Sequence, residues 1–306
     1  MSNLFKNIIS LKDQNYIKHI VTPITPYLLC NHFVSTEIHK SSKKYVHYKL
    51  DIKANDLLKN KNYNNIKNYD IVQVQVDHFD FFYDKILPII VKNKIKIILI
   101  TSQYHLPQLN RNNKTDNCVN HENILLWVSQ NPIYPLTYEK YLAFPYGIHH
   151  NNLEQYMNYV KLNNKINKNI EILNQNSSTH KHLPANHIRK VYNIFGTNSG
   201  PRINYLQFLQ NIEGAKFVIS TAGDRDDCYR HYECIGLNAI PVSNIGGDYV
   251  NIFGNNMIYS NATEMIEMIN EKTVKYEYVE PNRDIITVQY WVEKMNEKID
   301  KIKLNK

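Results

Sequence analysis

Residues 216–242 read KFVISTAGDRDDCYRHYECIGLNAIPV, and this stretch decides the fold class. An apolar strand over 216–220 comes first, followed by a loop of small residues and an acidic helix start. A helix carrying Arg230 and Glu233 comes next, then a turn at Gly236 and a second strand over 239–242. A strand–loop–helix–strand unit builds a parallel sheet whose loops open at the carboxyl ends of the strands. Arg230 and Glu233 are three residues apart, so they share one helix face. An arginine there can grip a diphosphate, and a carboxylate beside it can accept bonds from ribose hydroxyls. That pairing is what a nucleotide-sugar site needs. A plainer reading stays open, in which Asp227 caps the helix and Arg230 with Glu233 forms a surface ion pair worth roughly a few tenths of a kcal/mol.

Outward from that unit, the chain has room for two domains. Its 306 residues allow two cores of about 150 residues each. A hydrophobic content of 43% with 21% charged residues fits a globular protein and excludes a disordered polar chain. Asn, Lys, Ile and Tyr are all abundant, and all are encoded by AT-rich codons, so genome bias accounts for much of the excess. The net charge of +8 invites a nucleic-acid reading. The lysines are scattered, however, and a diffuse positive balance suits an anionic nucleotide as well as it suits nucleic acid. No run of about 18 apolar residues occurs, so no membrane span is expected. Cys30, Cys118, Cys228 and Cys234 form no Cys-x-x-Cys pair and follow no apolar signal segment. They are read as reduced and the protein as cytoplasmic, where the sequons at Asn113, Asn176 and Asn261 would stay unmodified.

Along the chain, 45–50 reads as a short strand, and 70–76 alternates in strand fashion before Asp77 and His78. Residues 79–92 have helical spacing, and 95–100 is a β-branched run suited to a strand covered on both faces. Residues 108–120 read as a loop, 121–130 as a short helix, and 141–144 as an approach to Pro145-Tyr146-Gly147. Residues 151–174 read as a connecting helix and 175–187 as a linker. A strand over 190–195 then opens the second domain. It leads through FGTNSG (195–200) to a helix with Pro201 at its first position, ending near Glu213. Helices are expected near 262–271 and over 284–304. The expected organisation is thus α/β: an amino-terminal domain over 1–150, a connecting segment over 151–187, a second domain over 188–283 and a terminal helix over 284–306.

The run from Ser220 through Gly223, Asp227, Arg230, Glu233 and Gly236 to Pro241-Val242 resembles the donor-binding signature of exostosin-like glycosyltransferases. Ala222 stands where many members carry proline or another residue. The resemblance covers about thirty residues and thins outside them. It implies the GT-B architecture, in which two Rossmann-type domains face a cleft and a carboxyl-terminal helix crosses back to brace the first domain. It also implies transfer of a sugar, with inversion, from a nucleoside diphosphate such as UDP or GDP to a hydroxyl of a glycan or glycoprotein. Animal exostosins are Golgi membrane proteins, and the absence of an apolar span departs from them. On this resemblance Arg230, with Arg202, holds the diphosphate and Glu233 the ribose. Ser220, Thr221, Gly223 and Asp227 shape the loop around the donor, and Gly196 belongs to a second anion-binding turn before a helix. No cofactor is required beyond the donor substrate.

An inverting transferase needs a base for the acceptor hydroxyl. Asp77 with His78, at the end of an expected first-domain strand, is the first candidate, and His149 with His150 the second. Asp77 can equally cap the following helix, and a histidine pair can be packing alone. Asp224-x-Asp226 matches the metal-binding mark of the other glycosyltransferase architecture. It also leads into a helix, where acidic residues favour the first turn, so a divalent metal is possible but not expected. His180, His182 and His187 lack the spacing of a structural zinc site and are read as linker composition. The alternatives kept are a non-catalytic nucleotide- or glycan-binding module of the same fold and a basic nucleic-acid-binding protein.

Overall fold

A computed structural model describes residues 19–35, 63–102, 109–162, 167–175, 203–222 and 226–304. The described chain is α/β and contains two all-parallel sheets, one of five strands and one of four. They belong to two compact units, one drawn from 21–145 and 288–306, the other centred on 146–287.

In the first unit the sheet runs β1 (His32–Val34), β2 (Ile71–Gln75), β3 (Ile97–Ser102), β4 (Ile124–Ser129) and β5 (Tyr141–Ala143), adjacent in chain order. β4, ILLWVS, is buried at every position. A parallel strand covered on both faces loses the polar alternation that marks a half-exposed one. One face is packed by the helical run 79–92, in which the π-helical Phe82–Ile86 continues into helix Leu87–Lys92. There Phe79 stacks on Trp127 at 5.5 Å, and Tyr134 and Tyr141 meet the indole edge-on. The indole nitrogen donates to Thr101 Oγ1 at 2.9 Å, so the largest side chain of the core buries no unpaired donor. The carboxyl-terminal helix Val288–Leu304 belongs to this unit, and its Trp291 meets Phe144 edge-on at 5.8 Å.

The second unit is built on β6 (Ile170–Leu173), β7 (Ala215–Ile219), β8 (Ile240–Ser243) and β9 (Ile258–Tyr259), again in chain order. Its longer helices among the described residues are α1 (Leu153–Leu162), α2 (Tyr205–Glu213), α3 (Tyr229–Gly236) and α4 (Ala262–Glu271). Phe217, Ile219, Ile240 and Val242 form one apolar layer with Met265, Met268 and Ile269 of α4. The α4 start carries a capping box between Asn261 and Glu264, which satisfies two helix-end donors reciprocally.

Three sequence expectations are corrected. Residues 121–130 are not a short helix, because 124–129 is the buried interior strand β4. A short continuous apolar run fits either element, and pairing with β3 and β5 decides it. The loop expected over 108–120 contains the helix Asn113–Asn120, started by an Asn112–Thr115 capping box. The connecting helix expected over 151–174 ends at Leu162, and Ile170–Leu173 forms edge strand β6, whose Ile172 registers with Phe217. The strands expected at 45–50 and 190–195 lie outside the described residues.

Gly236 shows what close packing demands of this sequence. A Cβ there would lie 2.0 Å from the Tyr156 hydroxyl and 2.8 Å from Ile286 Cδ1. Tyr156 is fully buried, and its hydroxyl has no partner among the described residues. Gly236→Ala should therefore destabilise the protein by about 1–3 kcal/mol through overpacking. Tyr156→Phe alone should be neutral or stabilising, since it removes an unsatisfied buried group. Urea unfolding of both variants and of the double mutant checks this: the double mutant should recover part of the Gly236→Ala loss.

Candidate functional site

The site is assembled at the carboxyl ends of β7 and β8, where the loop after β7 turns into α3. The Ser220 amide donates to the Val242 carbonyl at 2.9 Å, and the Ala222 amide to Asn244 Oδ1 at 3.2 Å. Both bonds tie the loop to the end of the neighbouring strand. Asn244 carried no signal in the sequence.

Asp227 is fully buried and does not cap α3, whose N-cap is Cys228. Its Oδ2 instead accepts the Tyr146 backbone amide at 2.9 Å and the Tyr232 hydroxyl at 2.6 Å. Its Oδ1 has no partner among the described residues. Burial pushes the Asp227 carboxyl up to about 7, against the opposing pull of nearby His231 and of the two donors.

His231, also fully buried, sits one helical turn from the loop. Its Nε2 faces the Asp226 carbonyl at 3.1 Å, and its Nδ1 faces Ser220 Oγ at 2.7 Å. A carbonyl can only accept, so Nε2 carries the proton and the Ser220 hydroxyl donates to Nδ1. Burial lowers the imidazole's affinity for a second proton.

Arg230 and Glu233 lie on the same helix, but they are not a surface pair. Glu233 is only 4% exposed and accepts the Tyr205 hydroxyl of α2 at 2.6 Å. Burial raises its affinity for a proton, while Tyr205 and Arg230 pull the other way. Arg230 is half-buried, donates to the Gln175 carbonyl at 3.2 Å and lies over the Phe208 ring at 5.4 Å. The Thr221 Oγ1 and Gln175 Oε1 atoms are buried without a partner among the described residues. α3 thus carries a cation, Arg230, and a carboxyl group, Glu233, three residues apart, and such a pair can bond an anion and accept from hydroxyls.

An aromatic group adjoins the start of α3. Tyr229 stacks on Tyr146 at 5.1 Å, and His149 meets Tyr229 edge-on at 4.6 Å while stacking on His150. His149 is therefore in the same unit as Arg230 and Glu233. Asp77 and His78 belong to the other unit, in a 3₁₀ turn directly after β2. Asp77 is exposed and accepts from Gln75 Nε2 at 2.8 Å, with no capping bond to the helix it precedes. Burial lowers the proton affinity of His78.

Arg202, Gly196, Gly223 and Asp224 lie outside the described residues, as do His180, His182 and His187. Asp226 is described and exposed. Among the described residues no cluster of three or more His, Cys, Asp or Glu side chains is arranged to hold a metal ion. Nor is any described helix long and apolar enough to cross a membrane. Sequence reasoning missed Tyr205, Tyr146 and His231. Only His231 carried a local signal, lying on α3 four residues after Asp227.

No family model matches the chain, and no curated protein matches it.

The buried pair of Asp227 and His231 sets a pH dependence. A carboxyl raised in the folded state favours its protonated form there, so its share of stability is present at low pH and lost as pH climbs from its ordinary 3.8 towards about 7. His231, lowered from 6.5, acts oppositely: its share is present above that value and lost on acidification. Asp227→Asn should therefore remove the Asp227 contribution to the fall in stability as pH rises from about 4 to about 7, and leave the slope above about pH 7 unchanged. Urea midpoints taken between about pH 4 and about pH 9 check this. A variant with an unaltered slope between about pH 4 and about pH 7 would contradict the assignment.

Proposed function

We propose that the chain is a nucleotide-sugar-dependent glycosyltransferase of the exostosin-like, GT-B type, transferring a sugar with inversion to a glycan or glycoprotein hydroxyl. The observation that carries this reading is the pairing of Arg230 with Glu233 on α3 at the carboxyl end of β7. There the carboxylate is buried and held by Tyr205 instead of being spent in a surface ion pair. Parallel α/β sheets bind ligands at that end of their strands.

In this reading Arg230, with Arg202, neutralises the diphosphate as the bond to the sugar breaks, stabilising charge that grows in the transition state. Glu233 accepts the ribose hydroxyls, and the bond from Tyr205 fixes its orientation. Ser220, Thr221 and Asp227 shape the loop around the donor; Gly223, assigned to that loop, and Gly196, assigned to a second anion-binding turn, lie outside the described residues. Asp77, His78 and His149 are the candidates for the base that takes the acceptor's proton. The diphosphate leaves on arginine charge, so the reading requires no divalent metal. The donor and acceptor are substrates, and no nucleic acid or membrane span enters the mechanism.

Calorimetric titration with UDP and GDP tests this. One of the two should bind. Arg230→Ala and Glu233→Gln should each weaken binding by about 2 kcal/mol, or roughly thirtyfold, the loss expected for a hydrogen bond to a charged group. Binding of neither nucleotide, or binding indifferent to both substitutions, would overturn the donor-site reading. Binding without any hydrolysis or transfer of the corresponding nucleotide sugar would leave a binding module in place of an enzyme.

A further inference from the structure

Lysines gather at the amino-terminal edge of the five-stranded sheet, the end away from the strands' carboxyl-terminal loops. Lys94 and Lys96 lie between helix Leu87–Lys92 and β3, Lys140 immediately precedes β5, and Lys67 lies four residues before β2. Helix Val288–Leu304 ends at the same edge. Its Lys303 Nζ sits over the Tyr69 ring at 5.5 Å, and the Tyr69 amide donates to the Lys96 carbonyl at 2.6 Å. None of these lysines, nor Lys301, forms an ion pair among the described residues. Lys140 reaches a backbone carbonyl, that of His121, at 3.0 Å. Burial, and next the charge of Lys96, weaken the hold of the Lys140 ammonium on its proton; burial and then Lys301 do the same to Lys298. Glu139 opposes the effect at both, and Glu122 at Lys140. Acidic side chains Asp77, Asp80, Asp84 and Asp116 sit instead near the starts of the helices after β2 and β3, where Asp80 and Asp84 take up Lys114.

Two large side chains stand out among these charges: Leu304, next to Lys303, is 84% exposed, and Tyr69 is 53% exposed. We propose that this edge docks the protein onto an anionic membrane surface, with acidic lipid headgroups as the partner. A lysine stem lies along apolar surface while its ammonium stays at headgroup level. Each lysine held near such a surface strengthens binding about fivefold. Tyr69 suits the same depth, with an apolar ring and a wet hydroxyl, and Leu304 enters the boundary of the acyl chains. The headgroup anions also relieve the like-charge crowding of Lys96 with Lys140 and of Lys298 with Lys301. Nucleic acid is the competing polyanion. The edge residues include no arginine, whose fork grips phosphates and base edges bidentately. Tyr69 is one ring, where a single strand is bound by a series of stacking platforms. An exposed leucine contributes nothing to a phosphate backbone and is favourable at a bilayer.

The inference goes beyond the donor-site reading and does not rest on it. The full chain is co-sedimented with vesicles of phosphatidylcholine, alone or mixed with an equal part of phosphatidylserine, at low and at physiological salt. The expected result is binding to the phosphatidylserine vesicles only, weakening as salt rises. Lys301→Gln with Lys303→Gln should weaken it roughly thirtyfold, about 1 kcal/mol for each lysine. Leu304→Ser, which changes no charge, should weaken it about tenfold. Lys272→Gln with Lys275→Gln, an equal loss of charge from exposed positions in the other unit, should change it less than about twofold, since the attraction fades within a Debye length. Urea midpoints of all these surface variants should match that of the wild type. Binding to neutral vesicles as strong as to anionic ones, binding to neither, or an equal loss in the Lys272 and Lys275 control would overturn the inference. So would binding to a DNA duplex that is tighter than to the vesicles and indifferent to Leu304→Ser, which would assign the edge to nucleic acid.

Discussion

A single buried carboxyl organises the second unit. Asp227 accepts the amide of Tyr146 and the hydroxyl of Tyr232 through one oxygen, and no described group reaches the other. Placing a carboxyl group out of water is costly unless it is paired, hydrogen-bonded or neutral. Here two donors and an elevated proton affinity share that cost. What the arrangement secures is position: the chain entering at Tyr146, the loop leaving β7 and the first turn of α3 are held to one another. His231, Glu233, Cys234, Ile235 and Gly236 are then all buried along the same helix. A helix so enclosed can afford no Cβ at Gly236, and every polar group on it must find its partner locally.

The same constraint explains why the polar residues of α3 are engaged rather than displayed. Glu233 is bonded by Tyr205, His231 by Ser220 and the Asp226 carbonyl, and Arg230 by the Gln175 carbonyl. Side chains fixed in this way have already lost their rotamer freedom before a ligand arrives. A site built so loses less entropy on binding than one made of free surface side chains. That preorganisation, more than the presence of an arginine and a glutamate, separates this helix from an ordinary amphipathic one.

Much of the fold was legible in the sequence, and the failures have physical causes. The β3 run and the 216–242 unit declare themselves because their periodicity is local and their helix is bounded by a loop and a glycine. β4 was misread because ILLWV is buried on both faces and has no alternation to report. β6 was misread because four residues carry too little pattern, and its identity comes from pairing with β7. The helix at 113–120 had a signal, the Asn112–Thr115 capping box, which the surrounding polar residues obscured. At the site, Arg230, Glu233, Asp227 and Ser220 were visible as one short motif. The partners that give them their roles were not: Tyr146 lies 81 residues before Asp227 and Tyr205 lies 28 before Glu233. Only the folded chain brings these into reach.

The central claim is that α3 and the loop before it receive the diphosphate and ribose of a nucleotide. Hydrogen–deuterium exchange with and without saturating UDP or GDP tests it most directly, because it reports where a ligand acts without assuming a reaction. The account predicts slowed exchange concentrated in peptides covering 220–236, with smaller effects at 203–213, where Tyr205 braces Glu233. Nucleotide-dependent protection confined to the five-stranded sheet, with 220–236 unchanged, would contradict it.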